Sequence, residues 1–145
     1  MAEQTTSSIL IQAAPDAVMA VIADFASYPL WVKGMKVAEA VEEGPDGRAA
    51  KVHFVLDVPP IKDDYTLAYT WDGDRSVSWT LVRGTLLRAL DGAYVLRDLG
   101  NGTTEVTYRL ALDVTIPLIG MIKRKGEKIL IETALRGLKT RVEAL

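Results

Sequence analysis

The chain is 145 residues long, about the size of one domain, with 49% hydrophobic and 25% charged residues. It has no cysteine and one histidine, His53, which excludes disulfides, thiolate nucleophiles and cysteine-based metal sites and leaves at most one imidazole for any serine–histidine scheme. A net charge of −2 argues against a protein that binds nucleic acid by neutralising phosphates, although the balance is uneven, −6 over residues 1–115 and +4 over 116–145.

Thr6 to Gln12 sets Ile9 and Ile11 on one face among β-branched neighbours, a strand signal. Ala13-Ala14-Pro15-Asp16 then opens a helix, with proline tolerated in the first turn and an acid there to meet the macrodipole. Val18, Val21, Ile22 and Phe25 recur at helical spacing until Tyr28-Pro29 forces a stop, and a second short helical turn fits Ser27–Val32.

From Met35 to Val114 the period changes to two. Turn chemistry punctuates it at Gly44–Gly47, Val58–Ile61, Asp72–Asp74, Arg83-Gly84 and Gly100–Gly102, predicting six antiparallel strands near 35–43, 48–57, 63–71, 75–83, 88–98 and 103–114. Phe54, Tyr65, Tyr69, Trp79, Tyr94 and Tyr108 fall on the apolar parity of their strands. Lys51, His53, Asp57, Asp64, Asp91, Arg97, Glu105, Arg109 and Asp113 fall on the other, so one face is expected to be buried and the other wet.

Pro117 opens a last helix expected to run almost to Leu145. Ile119, Ile122, Gly126, Ile129, Leu130, Thr133, Ala134, Gly137, Leu138 and Val142 form its apolar stripe. Such a helix outreaches any strand here and must lie across the sheet. The two glycines on the stripe leave room between helix and sheet, either for close packing or for a cavity.

Residues 1–145 thus read as one α+β domain of helix-grip layout, a curved seven-stranded antiparallel sheet wrapped around a long C-terminal helix, with two short helices between strands one and two. In that layout, Ile11–Val18, Val21-Ile22-Ala23-Asp24-Phe25 and Tyr28-Pro29-Leu30-Trp31 resemble the opening of the START-related, birch-pollen-allergen-like superfamily. The likeness is to its polyketide cyclase/dehydrase and lipid-transport branch, which includes coenzyme-Q-binding proteins. Leu90–Tyr94 and Gly102–Tyr108 resemble that family's sixth and seventh strands. The resemblance implies an internal apolar cavity between sheet and last helix, and says little about activity, because fold does not determine function. The inward tyrosines fit it independently: a tyrosine hydroxyl in a dry core needs a partner, and four of them sit more easily around a partly hydrated pocket.

The expected ligand-binding residues are Trp31, Phe54, Tyr65, Tyr69, Trp79, Tyr94, Tyr108, Ile122, Gly126 and Ile129. Trp31, with Tyr28 and Pro29, is expected to close one end, as a lid over the core or in contact with ligand. Arg83 shares the parity of Trp79 and Leu81 and would face the pocket to anchor a carboxylate or enolate, unless it turns to solvent at the strand end. Glu39 would point inward only if its strand follows the odd register, which Val-Ala-Glu-Ala-Val leaves open. These two are the weak catalytic candidates. His53 reads as a solvent-facing sheet residue. Val58–Ile61 and Leu86-Leu87 suit a pocket rim or core capping equally.

Lys123-Arg124-Lys125 and Lys128 suggest an anionic head group or a transient membrane contact, whereas Lys123–Glu127, Lys128–Glu132, Glu132–Arg136 and Lys139–Glu143 mark a solvated helix face. No phosphate cradle, nucleophile elbow, zinc motif or calcium loop is present, so neither metal nor cofactor is expected. Met1–Ser8 lacks a basic region before an apolar run, and the longest apolar stretch, Val114–Ile122, is too short to span a bilayer. The expectation is a cytoplasmic protein that carries or presents a hydrophobic small molecule (lipid, isoprenoid or quinone, or aromatic polyketide). The alternative is a polyketide aromatase/cyclase or dehydrase using the same cavity. Oligomeric state and protein partners are not legible.

Overall fold

The computed structural model describes residues 4–58, 61–115 and 120–145, and their side chains except at 61 and 120–122. Strand β1 (Thr5–Ile11) alternates half-buried and exposed residues and ends on the fully buried Ile11. Helix α1 (Pro15–Ala23) starts after an extended Ala14, has Pro15 and Asp16 in its first turn, and buries Val18, Met19, Val21 and Ile22. Asp24 leaves helical geometry, a 3₁₀ turn follows at Phe25–Ser27, and the one-turn helix α2 (Tyr28–Trp31) ends where Val32 becomes extended.

Six strands follow: β2 (Met35–Glu43), β3 (Ala49–Val58), β4 (Ile61–Asp72), β5 (Ser76–Arg83), β6 (Leu87–Gly100) and β7 (Thr103–Val114). They pair antiparallel in the order β1-β7-β6-β5-β4-β3-β2, so the first two strands in sequence lie at opposite edges, with α1 and α2 in the connection between them. The long helix α3 (Gly120–Glu143) spans roughly 36 Å at 1.5 Å per residue. It packs chiefly on β1 and β7 and touches α1 and α2. Ile131, Leu135, Leu138 and Val142 form its buried stripe. This is the helix-grip fold. The expected element bounds agree to within about three residues, and the expected start of the last helix at Pro117 lies outside the described residues.

Three departures from the simple alternation matter for the site. At the start of β2 a bulge lies between Met35, opposite Leu56, and Val37, opposite Val55. The extra residue Lys36 shifts the parity, so Ala38 and Ala40 share the inner face with Phe54 and Val52, while Val37, Glu39 and Val41 face out. In β5 the ladder passes from Leu67–Leu81 to Thr66–Arg83, leaving Val82 as an extra residue. Arg83 therefore leaves the parity of Leu81.

The third departure concerns α3. Glu127, expected in a surface pair with Lys123, is 0% exposed. Its carboxylate accepts hydrogen bonds from Thr5 Oγ1 at 2.7 Å and from the Leu112 backbone N–H at 2.8 Å. Leu112 lies two residues beyond Leu110, the partner of Thr5 at the start of the β1–β7 ladder. Glu127 gives that buried N–H the acceptor the ladder does not supply, and so fixes the helix to the sheet edge.

Candidate functional site

Between the inner face of the sheet and α3 lies a cavity of about 510 Å³. Its floor is built by regular β-alternation. Phe54 on β3, Tyr65, Leu67 and Tyr69 on β4, and Trp79 on β5 contribute one side, and Leu90 and Tyr94 on β6 with Tyr108 and Leu110 on β7 the other. The rings form a continuous contact set: Phe54 stacks on Tyr65 at 5.4 Å between centroids, Trp79 lies 5.4 Å from Tyr94, and Tyr94 meets Tyr108 edge-on at 4.6 Å. Ile129, Leu130, Thr133 and Ala134 of α3 form the opposite wall. The segment Val32–Lys36, together with Leu56, Asp57 and Val58 at the end of β3, completes the lining. Exposed Lys33, Lys36 and Ile129 mark where the cavity meets solvent.

Five tyrosines line the cavity. Tyr28 donates its hydroxyl to the Ile22 carbonyl at 2.5 Å and is thereby held by α1. The hydroxyls of Tyr65, Tyr69, Tyr94 and Tyr108 have no hydrogen-bond partner among the described residues, yet none is a sealed, unsatisfied atom. They open onto the cavity. Burial pushes the phenols of Tyr65, Tyr69, Tyr94 and Tyr108 well above their ordinary value, and all but Tyr108 are raised further by neighbouring tyrosines. At physiological pH these groups are neutral, able to donate a hydrogen bond to a carbonyl or accept one from a hydroxyl, and unfit as general bases. The charged groups of the lining, Lys33, Lys36 and Asp57, all come from its α2–β2 and β3-end segments.

Of the residues expected from the sequence, Phe54, Tyr65, Tyr69, Trp79, Tyr94, Tyr108 and Ile129 line this cavity. Ile122 lies outside the described side chains. Gly126 is half-buried and is not part of the wall, which α3 builds from the next turns. Trp31 is not part of it either. It packs edge-on against Tyr28 at 5.0 Å with its backbone and ring under Gly137, covering the core beside the cavity. Its indole nitrogen is buried without a hydrogen-bond partner among the described residues.

Both weak catalytic candidates are on the wet face. The extra residue Val82 turns Arg83 outward, where its guanidinium is 65% exposed and 3.9 Å from the Asp64 carboxylate. The Lys36 bulge puts Glu39 opposite His53 on the same outer face, and His53 Nε2 meets Asp64 Oδ1 at 2.5 Å. Of the two candidate rims, Val58 lines the cavity while 59–60 lie outside the described residues. Leu87 instead belongs to the core.

The Leu86-Leu87 connection is held by a residue the sequence did not single out. Buried Asp63 accepts backbone N–H bonds from Thr85 at 2.9 Å and Leu87 at 2.8 Å. Burial alone would raise this carboxyl, but the N–H groups of Leu87, Leu86, Thr85 and Asp64 together hold it below the usual carboxylate range. Tyr28, Leu90 and the Val32–Lys36 segment were likewise missed as lining. A short helix with proline in its first turn, followed by Lys-Gly-Met-Lys, was the available signal.

Among the described residues no cluster of histidine and carboxylate side chains is arranged to hold a metal ion, and no helix is long and apolar enough to cross a membrane. A START superfamily protein from Mycobacterium smegmatis superposes with a TM-score of 0.91 over 97% of both chains at 18% identity. The ZhuI aromatase/cyclase from a Streptomyces species gives 0.81 over 99% of this chain and 94% of that one at 16% identity. A Thermus thermophilus protein gives 0.80 over 98% of each at 23% identity. At these identities the likeness is one of fold. No curated protein sequence matches the chain. The family described as polyketide cyclase / dehydrase and lipid transport matches residues 2–143, and the chain belongs to that family.

Proposed function

We propose that the chain binds a hydrophobic small molecule in the cavity between sheet and α3, as a cytoplasmic carrier or presenter of a lipid, an isoprenoid or quinone, or an aromatic polyketide. The observation that carries this reading is the composition of the wall: a 510 Å³ space floored by aromatic rings and leucines, with neutral hydroxyls inside and charge confined to Lys33, Lys36 and Asp57. A space of that size and character matches the pockets that take small apolar ligands. Native mass spectrometry of freshly purified protein tests the reading through any co-purified ligand. Titration with prenyl, acyl and polycyclic aromatic compounds tests it through the emission of Trp79, which lies in the wall. A panel that leaves both the mass and the emission unchanged refutes it.

A second reading, an aromatase/cyclase or dehydrase on a polyketide, is favoured by the four tyrosine hydroxyls that open onto one space. Such hydroxyls would hold the carbonyl oxygens of a poly-β-keto chain and stabilise an enolate by hydrogen bonding. Turnover of a poly-β-keto substrate mimic, lost in Tyr94→Phe/Tyr108→Phe and retained in Arg83→Ala, would select it. Retention of the mimic without turnover selects the carrier.

A further inference from the structure

We propose that Lys33 and Lys36 form an anion-binding site at the cavity mouth, so that the ligand is an amphiphile, an apolar chain ended by a carboxylate or a phosphate. This rests on the cavity being a ligand site and names the chemistry of its outer end.

Three observations lead there. Both lysines line the cavity and are exposed, and neither has a carboxylate within ion-pair distance among the described residues. Most of the other strand and loop cations are paired: Arg48 with Asp74, Lys51 with Glu42, Arg75 with Asp72, Arg88 with Asp113 and Arg97 with Glu105. Lys33 and Lys36, three residues apart, thus leave two ammonium groups without a described carboxylate partner at the edge of an apolar space.

The second observation is the backbone that presents them. Gly34, between the two, sits at φ +83°, and its carbonyl accepts the Asp57 N–H at 2.8 Å. A side chain there would meet the Asp57 carbonyl oxygen at 2.8 Å and Val58 Cγ2 at 2.3 Å. The segment is pinned to the end of β3 by a close approach that only glycine allows. Lys36 is the extra residue of the β2 bulge, the device by which sheets re-aim a side chain away from its ladder face. The bulged residue is exposed and lies among the lining residues at the cavity mouth.

The third is charge balance. Among the described lining residues Asp57 is the one acid, against two lysines, and exposed Lys125 precedes the lining residue Ile129 by one helical turn. The field at the mouth is positive while the interior is neutral. A ligand whose apolar chain enters between Ile129 and Leu56 leaves its end group beside Lys33 and Lys36, where an anion gains and a neutral alcohol does not.

Hexadecanol, hexadecanoate and hexadecyl phosphate separate the terms by direct binding measurement at low salt. The wild-type protein is expected to bind at least one of the two anions about two- to thirtyfold more tightly than the alcohol, the range for two exposed ion pairs, and to lose that advantage as salt is added. In Lys33→Gln/Lys36→Gln the advantage disappears with the alcohol's affinity unchanged, and in Lys33→Glu/Lys36→Glu the alcohol becomes the better ligand. Which anion gains more tells carboxylate from phosphate as the end group. Equal binding of all three by the wild type, or an equal loss for alcohol and anions in the variants, overturns the site and leaves the cavity reading standing. Failure of all three to bind overturns the single-chain amphiphile and this site with it, and the cavity reading is then decided by the prenyl and polycyclic aromatic compounds.

Discussion

Ala134→Phe tests whether ligand occupies the space under α3. Ala134 is half-buried on the cavity side of the helix, so its replacement grows into the void and away from the packed stripe of Ile131, Leu135 and Leu138. A phenyl ring takes up about 150 Å³, the size of cavity that accepts benzene, which is roughly a third of the 510 Å³ present. At about 30 Å³ for a water-sized group, that is the room of about five methylenes. Each buried methylene is worth about 0.8 kcal/mol, so a chain that filled the cavity loses up to about 4 kcal/mol, and less if it backs out through the mouth. The helix itself gives up only about 0.5 kcal/mol in propensity, so the fold survives. In a calorimetric series from octanol to hexadecanol, the variant is expected to weaken the longest alcohols by about one to three orders of magnitude and octanol by less than about threefold. An equal loss at every chain length, or none at any, would mean that ligand does not lie along α3, and the reasoning from cavity volume would fail.

Gly126 and Gly137 of α3 are expected to answer alanine with opposite signs in urea unfolding. A Cβ at Gly126 meets nothing within 4 Å among the described residues, so Gly126→Ala gains the helix-propensity difference of about 1 kcal/mol. A Cβ at Gly137 would lie 2.6 Å from the Trp31 carbonyl oxygen, a backbone atom, and Gly137→Ala is expected to lose about 1–3 kcal/mol through overpacking. Glu127→Ala orphans the buried Leu112 N–H and costs about 1–3 kcal/mol from that group alone, while Glu127→Gln, which keeps a carbonyl acceptor for it, costs less than half as much; equal losses would refute the latch. Asp63 has a lowered pKa in the folded chain, so its contribution is complete above the unfolded value near 3.8 and is lost as pH falls through the folded one. The stability gap between wild type and Asp63→Asn, followed by urea midpoints, should accordingly be open at neutral pH and close in acid.

Strand content, turn positions and the inward set of Phe54, Tyr65, Tyr69, Trp79, Tyr94 and Tyr108 were legible because the middle strands pair without slips across those rows. Arg83 and Glu39 were not, because a bulge adds a residue without any hydrophobic mark. Val82 is as apolar as its neighbours and yet faces solvent, and Val-Ala-Glu-Ala-Val serves either parity until Lys36 is known to be extra. Glu127 misled for a different reason. Spacing along a helix describes local charge pairs, whereas the partner that decided its position was an N–H on β7, which only the folded sheet brings within reach.

The same contrast explains why the cavity's chemistry reads more securely than its boundary. Leucine or phenylalanine at positions 65, 69, 94 and 108 would satisfy a filled core at no polar cost, whereas each unpartnered buried hydroxyl costs about 1–3 kcal/mol. Four tyrosines whose hydroxyls find no partner among the described residues are stable when water or a ligand supplies one, and the void gives room for either. Because burial keeps all four phenols neutral, the hold of the wall on a ligand's polar atoms does not change with pH in the physiological range. On the proposed reading, discrimination by charge falls to the mouth, where Lys33 and Lys36 stand on a segment whose shape depends on one glycine and one inserted residue, while interior shape selects the apolar body of the ligand.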